Sequence, residues 1–162
     1  MKRRLLTITL IGIIATVSVV KAQTYDPLAV QRINDLITKN GLVATPDAPE
    51  TWNFAKWNYE VPKQIIEINL EHTNLTGAVS FEGLSTLQRL TCYHSNYLTE
   101  LDVTDCTELI WLSCYDNLLS EIDLSNCSEL RWLFCDYNYL TELDVTNYNI
   151  CTVDTTAFLS SI

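Results

Sequence analysis

Leu109-Ile-Trp-Leu-Ser-Cys-Tyr-Asp-Asn-Leu-Leu-Ser-Glu-Ile-Asp-Leu-Ser-Asn-Cys-Ser-Glu129 runs directly into Leu130-Arg-Trp-Leu-Phe-Cys-Asp-Tyr-Asn-Tyr-Leu-Thr-Glu-Leu-Asp-Val-Thr-Asn147, and the two stretches are variants of one unit. A third copy precedes them, from Leu87 to Glu108. Asn96, Asn117 and Asn138 recur at a constant spacing, as do Leu98, Leu119 and Leu140, and Asp102, Asp123 and Asp144. The first copy carries one extra residue near Tyr93-His94-Ser95. In x-Leu-x-Cys-x the side chains alternate between faces, so Leu90/Cys92, Leu112/Cys114 and Leu133/Cys135 point one way. Successive copies can pair as parallel strands about 4.8 Å apart, stacking Leu on Leu and Cys on Cys. One coil cannot bury its own apolar side, whereas stacked coils share a core.

The unit reads L-x-x-L-x-C-x-x-N-x-L-[TS]-E-[LI]-D-[VL]-[TS], and it resembles the leucine-rich-repeat family, in a bacterial secreted form with Cys at the third apolar position. An earlier, degenerate row, Ile65 to Gly77, is closer to the plant-type pattern. The resemblance implies a right-handed solenoid of about four coils over residues 65–147, with a parallel sheet on the concave face and short turns or irregular structure on the convex side. It also implies that Asn96, Asn117 and Asn138 form an inward asparagine ladder satisfying turn backbone groups, and that the broad role is protein contact.

Residues 23–64 lack the repeat and are expected to cover its first coil. The apolar spacing from Pro27 to Asn40 predicts a helix, opened by Asp26 and stopped by Gly41. Trp52, Phe54, Trp57 and Tyr59 read as a hydrophobic plug. At the other end the register fails, with Cys151 and Asp154 where Leu130 and Leu133 predict leucine, so residues 148–162 are a terminal cap or a truncated coil. Residues 1–22 carry a basic start, an apolar run from Leu5 to Val20 and small residues before Gln23, the signature of a cleaved signal peptide. That implies export to the periplasm, the cell surface or the medium. Cleavage moves the formal charge from −10 to −14, because all four residues lost from the charge count are basic. Binding to nucleic acid through bulk electrostatics is thereby disfavoured, and no later stretch is long and apolar enough to span a bilayer.

Catalysis finds little support. Cys92-Tyr-His94 could pair a thiolate with a base, but Cys92 is expected inward and only His72 and His94 occur. No metal-binding C-x-x-C or H-E-x-x-H pattern occurs and no cofactor is implied. Six cysteines in an exported chain suggest disulfides, but parallel rungs aim their thiols the same way, which suits the disulfide torsion poorly. A packed, reduced set is expected, with Cys106 and Cys127 as a second, convex ladder. The convex acidic rungs Glu100/Glu121/Glu142 and Asp102/Asp123/Asp144 either hold a hard cation or stay solvated, with the Asp side chains bonding turn amides. The lack of a dense calcium-loop pattern favours the second. Asn74-Leu-Thr76 and Asn126-Cys-Ser128 match glycosylation sequons.

The outward strand face carries the functional expectation. Arg89/Thr91/Tyr93, Trp111/Ser113/Tyr115 and Trp132/Phe134/Asp136 line successive rungs, and alternation predicts that Trp111 and Trp132 are exposed. Exposed aromatic patches mark interaction sites, and Trp and Tyr dominate binding hot spots. Packing of the rings on one another as cross-strand pairs is the competing account. The expected function is an exported module that recognises a protein or peptide through this face. A carbohydrate ligand and a structural spacer within a larger surface protein are the alternatives, and the flat face also leaves a homodimer open.

Overall fold

The computed structural model describes residues 25–94 and 97–145, together with the backbone of 152–154. The expected signal peptide, Asn96 and Cys151 therefore lie outside the described residues. The chain begins with helix α1 (Pro27–Lys39), then a 3-10 turn (Pro49–Thr51) and strand β1 (Ala55–Trp57). Seven further strands follow: β2 (Ile65–Asn69), β3 (Thr76–Ser80), β4 (Arg89–Thr91), β5 (Tyr97–Asp102), β6 (Trp111–Ser113), β7 (Trp132–Phe134) and β8 (Thr152–Asp154). The main sheet has the order β1-β2-β4-β6-β7-β8, parallel throughout except for the antiparallel β1–β2 pair.

The register is the one that the repeat dictates. Ile68, Leu90, Leu112, Leu133 and Val153 stand opposite one another across the parallel strands. The four described Leu and Ile side chains of this row are fully buried, and Leu70, Cys92, Cys114 and Cys135 form a second buried row. On the far side of each coil, Phe81/Val103/Leu124, Leu84/Cys106/Cys127 and Leu87/Leu109/Leu130 complete the core. Each of these turns repeats the same pair of backbone bonds, such as Cys106 N to Val103 O at 3.0 Å and Cys127 N to Leu124 O at 2.8 Å. Fully burying a side chain of this size is worth about 1.5–3 kcal/mol, so the stacked rows are the main source of stability.

Three features depart from the sequence reading. First, the sheet continues past the point where the register was expected to fail. Trp132 pairs with Thr152 and Leu133 with Val153, so the last coil is a residue shorter than the one before and Val153, not Asp154, takes the leucine position. Second, the return side of the first two coils is not only turns. β3 and β5 pair in parallel as a second sheet, with a register shift between Gly77 and Ala78. Third, the aromatic segment before the repeat is an added edge strand, β1, rather than a simple plug. Trp52 is buried and its Nε1 donates to Thr45 O at 2.8 Å, whereas Tyr59 is fully exposed and plugs nothing. Lys56 and Glu67 pair at 2.7 Å across β1–β2.

The helix forms as its sequence predicts. The Asp26 carboxylate accepts from Leu28 N at 2.9 Å, Pro27 fills the first helical position and Gly41 takes a φ of +80° after the last turn. Ala29, Ile33 and Leu36 are its buried face. It packs over the return side of the first coil: Arg32 pairs with Glu82 at 2.8 Å and Asn40 Nδ2 donates to Ala78 O at 2.5 Å. Gly83 takes a φ of +78°, which an L side chain rarely adopts, and a Cβ there would meet the tip of the Leu28 side chain at 3.1 Å.

Candidate functional site

The strand register brings the expected face residues together in two outward rows, Glu67/Arg89/Trp111/Trp132 and Asn69/Thr91/Ser113/Phe134. Just beyond the strands, Tyr93 and Tyr115 stack at 4.5 Å between centroids, 17° from parallel. The Arg89 guanidinium lies 4.5 Å over the Trp111 ring, and Trp111 in turn contacts Trp132 at 5.8 Å and Phe134 at 5.0 Å. Most of these residues line one shallow cleft of about 360 Å³, bounded by Glu67 and Asn69 on the capped side and Phe134 on the other. Trp132 and Asp136 fall outside that cleft, although both remain half-exposed.

Two expectations need correction. Trp111 and Trp132 are half-buried rather than exposed, because each leans on its neighbour in the next rung. Ser113 is only 3% exposed. Its short side chain is overtopped by larger residues on its own and both adjoining rungs, so alternation gives its direction but not its accessibility. Large apolar side chains that do stand out into solvent include Tyr97 and Tyr139, 59% and 69% exposed, with Leu118 between them at 39%. They occupy the position after each ladder asparagine. Their place beside the face was readable from the repeat; their exposure came from having no stacking partner among the described residues.

A second ladder was not anticipated. Two residues after Leu70, Cys92, Cys114 and Cys135, the backbone enters the left-handed region at His72 (φ 58°), His94 (φ 53°), Asp116 (φ 57°) and Tyr137 (φ 52°). His and Asp are among the few residue types that visit this region readily. The recurring turn stacks the His72 and His94 rings at 5.3 Å, 11° from parallel. His94 also meets Tyr115 Oη at 3.0 Å and Asp116 at 3.5 Å, while His72 lies 3.3 Å from Glu71. The signal in the sequence was the shared offset of the two histidines from Leu70 and Cys92. Burial, followed by the Glu71 hydrogen bond and charge, raises the Tyr93 phenol; burial and then the Glu71, Asp136 and Asp116 charges raise Tyr115. His94 therefore faces tyrosine and carboxylate rather than Cys92, and the nucleophile–base pairing has no geometry here.

The asparagine ladder forms at both described positions. Asn117 Nδ2 donates to Cys92 O at 2.8 Å and Cys114 O at 3.0 Å, and its Oδ1 accepts from Leu98 N at 3.1 Å. Asn138 repeats this with Cys114 O, Cys135 O and Leu119 N. Cys92, Cys106, Cys114, Cys127 and Cys135 are buried and in no disulfide. Burial lifts the Cys92 and Cys106 thiols from 9.0 to about 12 and Cys127 to about 11, and raises Cys114 well above the ordinary value. These are core atoms, not nucleophiles. On the convex side Asp102 and Asp123 accept from the amides of Thr104 (2.9 Å) and Ser125 (2.8 Å). Burial pushes Asp102 up, but its bonds to Thr104 and to the Ser80 hydroxyl outweigh that and hold it below the usual value; the Ser125 bonds lower Asp123. Among the described residues no group of three or more His, Cys, Asp or Glu is arranged to hold a metal ion, and no helix is long and apolar enough to cross a membrane.

No family model and no curated protein matches the chain. Among solved structures, the crystal structure of the leucine-rich-repeat ectodomain of the receptor kinase SOBIR1 from Arabidopsis thaliana is similar, with a TM-score of 0.61 at 20% identity. The match covers 83% of this chain and 95% of that one. The chain folds as a leucine-rich-repeat solenoid with a helical N-terminal cover.

Proposed function

We propose that this chain is an exported recognition module, not an enzyme, and that it binds a protein or peptide through the outward face of its parallel strands. Residues 1–22 serve as the signal peptide, 23–64 as the N-terminal cap, 65–147 as the recognition array and 148–162 as its closing segment. The observation that carries the reading is the aromatic surface spanning three rungs: the Tyr93–Tyr115 stack and the Trp111, Trp132 and Phe134 group remain half-exposed even after their rings pack together. Pre-stacked rings lose little side-chain entropy when a partner covers them, which suits them as anchors. Arg89, Thr91, Ser113 and Asp136 supply the polar setting, with Ser113 acting from beneath. The similarity to a receptor ectodomain supports a contact role by analogy of fold.

The test compares the chain with a Trp111→Ala/Trp132→Ala variant of matched melting temperature as baits for envelope and extracellular proteins. A partner held by the first and lost by the second supports the reading. Identical retention, or none, turns the face into packing and favours a spacer role. A carbohydrate ligand is the second reading, favoured by the exposed Tyr97 and Tyr139 rings two rungs apart, about 10 Å on the strand spacing; a glycan array with Tyr97→Ala and Tyr139→Ala variants tests it.

A further inference from the structure

We propose that Arg89 and Trp111 form the polar anchor of the strand face, taking a carboxylate side chain of the protein partner that is itself bordered by basic residues. This rests on the recognition reading above. Among the six Lys and Arg residues described, Arg32, Lys39, Lys56 and Arg131 each lie within 4.0 Å of a carboxylate, and Lys63 sits over Tyr25 in the N-terminal region. In a chain of net charge −10, Arg89 has no carboxylate in ion-pair range among the described residues. It lines the cleft and is exposed, with its guanidinium carbon 4.5 Å from the centre of the Trp111 ring. That contact engages its charge with the ring and leaves its N–H donors without an acceptor among the described residues.

Several surrounding polar groups are already engaged. Thr91 Oγ1 donates to Asn69 Oδ1 at 3.0 Å, Tyr115 Oη bonds His94, Tyr93 bonds Glu71 and Glu67 is neutralised by Lys56. Two donors of the Arg89–Trp111 pair remain without an acceptor among the described residues: the guanidinium, and Trp111 Nε1, which is buried. A buried unpaired donor costs about 1–3 kcal/mol, so a small turn of the indole toward an incoming acceptor gains a bond that the free protein lacks. A carboxylate is the acceptor that a planar fork matches in pairs. One guanidinium balances one negative charge, whereas a phosphate dianion would add a second to a face already holding Glu71, Asp116 and Asp136. Those same carboxylates favour Lys or Arg on either side of the partner's acid.

Short random peptides displayed on phage, selected on the wild-type chain and on Arg89→Glu and Arg89→Gln variants of verified circular dichroism and melting temperature, test this. Wild type enriches peptides with Asp or Glu between basic residues. The winning synthetic peptide binds both variants roughly 10- to 100-fold more weakly. Its amide version, with Asp or Glu replaced by Asn or Gln, loses a similar factor on wild type and almost nothing more on Arg89→Gln. A winner bound equally by wild type and both variants, but lost on Trp132→Ala, overturns the Arg89 anchor and leaves strand-face recognition standing. Folded wild type that enriches no peptide overturns both.

Discussion

The first two coils and the last two are built from nearly the same unit yet differ on their return side. From Arg89 back to Glu67 and forward to Trp111 the spacing is 22 residues; from Trp111 to Trp132 it is 21, and from Trp132 to Thr152 it is 20. The longer coils have room for β3 and β5 to pair as a second sheet. In the shorter coils no second sheet forms among the described residues, where Leu118 N bonds Leu98 O at 2.9 Å and Tyr139 N bonds Leu119 O at 2.8 Å. The inward rows do not share this difference. Leucine and cysteine ladders run unbroken through both regions, which shows that core and return side are separable parts of the unit.

The largest test of that separation is alkaline pH, since the thiol rows cross both regions. A thiol whose folded value is raised keeps its proton while the unfolded chain loses it. Stability is therefore full below pH 9 and falls as pH rises toward the folded values of about 11 to 12. Each of Cys92 and Cys106 accounts for an amount on the order of 4 kcal/mol across that window. Cooperative unfolding between pH 9 and 12, delayed in a Cys106→Ala/Cys127→Ala variant relative to its own neutral stability, is the expected result. A melting curve flat to pH 11 would break the account.

Next comes Leu90→Ala against Leu133→Ala. Both side chains are fully buried, and each change should cost about 2–5 kcal/mol in urea unfolding. Near-equal losses keep the core uniform along the array; a loss at Leu133 less than half that at Leu90 would mean the late coils are looser inside as well. Smaller still is the return-side pair. Asp102→Ala removes bonds to Thr104 N and to Ser80 Oγ at 2.9 Å and should cost about 1–2 kcal/mol, whereas Asp123→Ala removes the Ser125 bonds at a more exposed site and should cost under about 1 kcal/mol. Because both carboxyls are held low, their contribution persists at neutral pH and fades as pH falls through those lowered values, so the two variants should converge on wild type in acid. The smallest expected effect is none: millimolar calcium against chelator should leave the melting temperature unchanged, since the Asp102 and Asp123 oxygens are already bonded within the turns.

Much of this was readable from residues 87–147 because a repeat turns local alternation into stacking. Leu112 lies over Leu133 for the same reason that Asn117 lies over Asn138. What the repeat could not convey were properties set by neighbours of different size. Ser113 is outward yet covered, Trp111 is outward yet half-buried, and Tyr59 lies in an aromatic segment yet touches little. Strand β8 was missed because a one-residue deletion pairs Val153, not Asp154, with Leu133. The histidine stack was missed because left-handed turns leave no apolar period to follow.

The second sheet also sets where the molecule can bend. Where β3 and β5 are paired, both sides of a coil rise by the same strand spacing of about 4.8 Å, and that part behaves as a stiff beam. Beyond β5 no strand pairing holds the return side among the described residues, so its rise has more room to widen or close while the strands stay paired. Compliance is thus concentrated behind Trp111 and Trp132, and it is the aromatic end of the face, not the capped end, that can adjust its curvature to whatever settles on it.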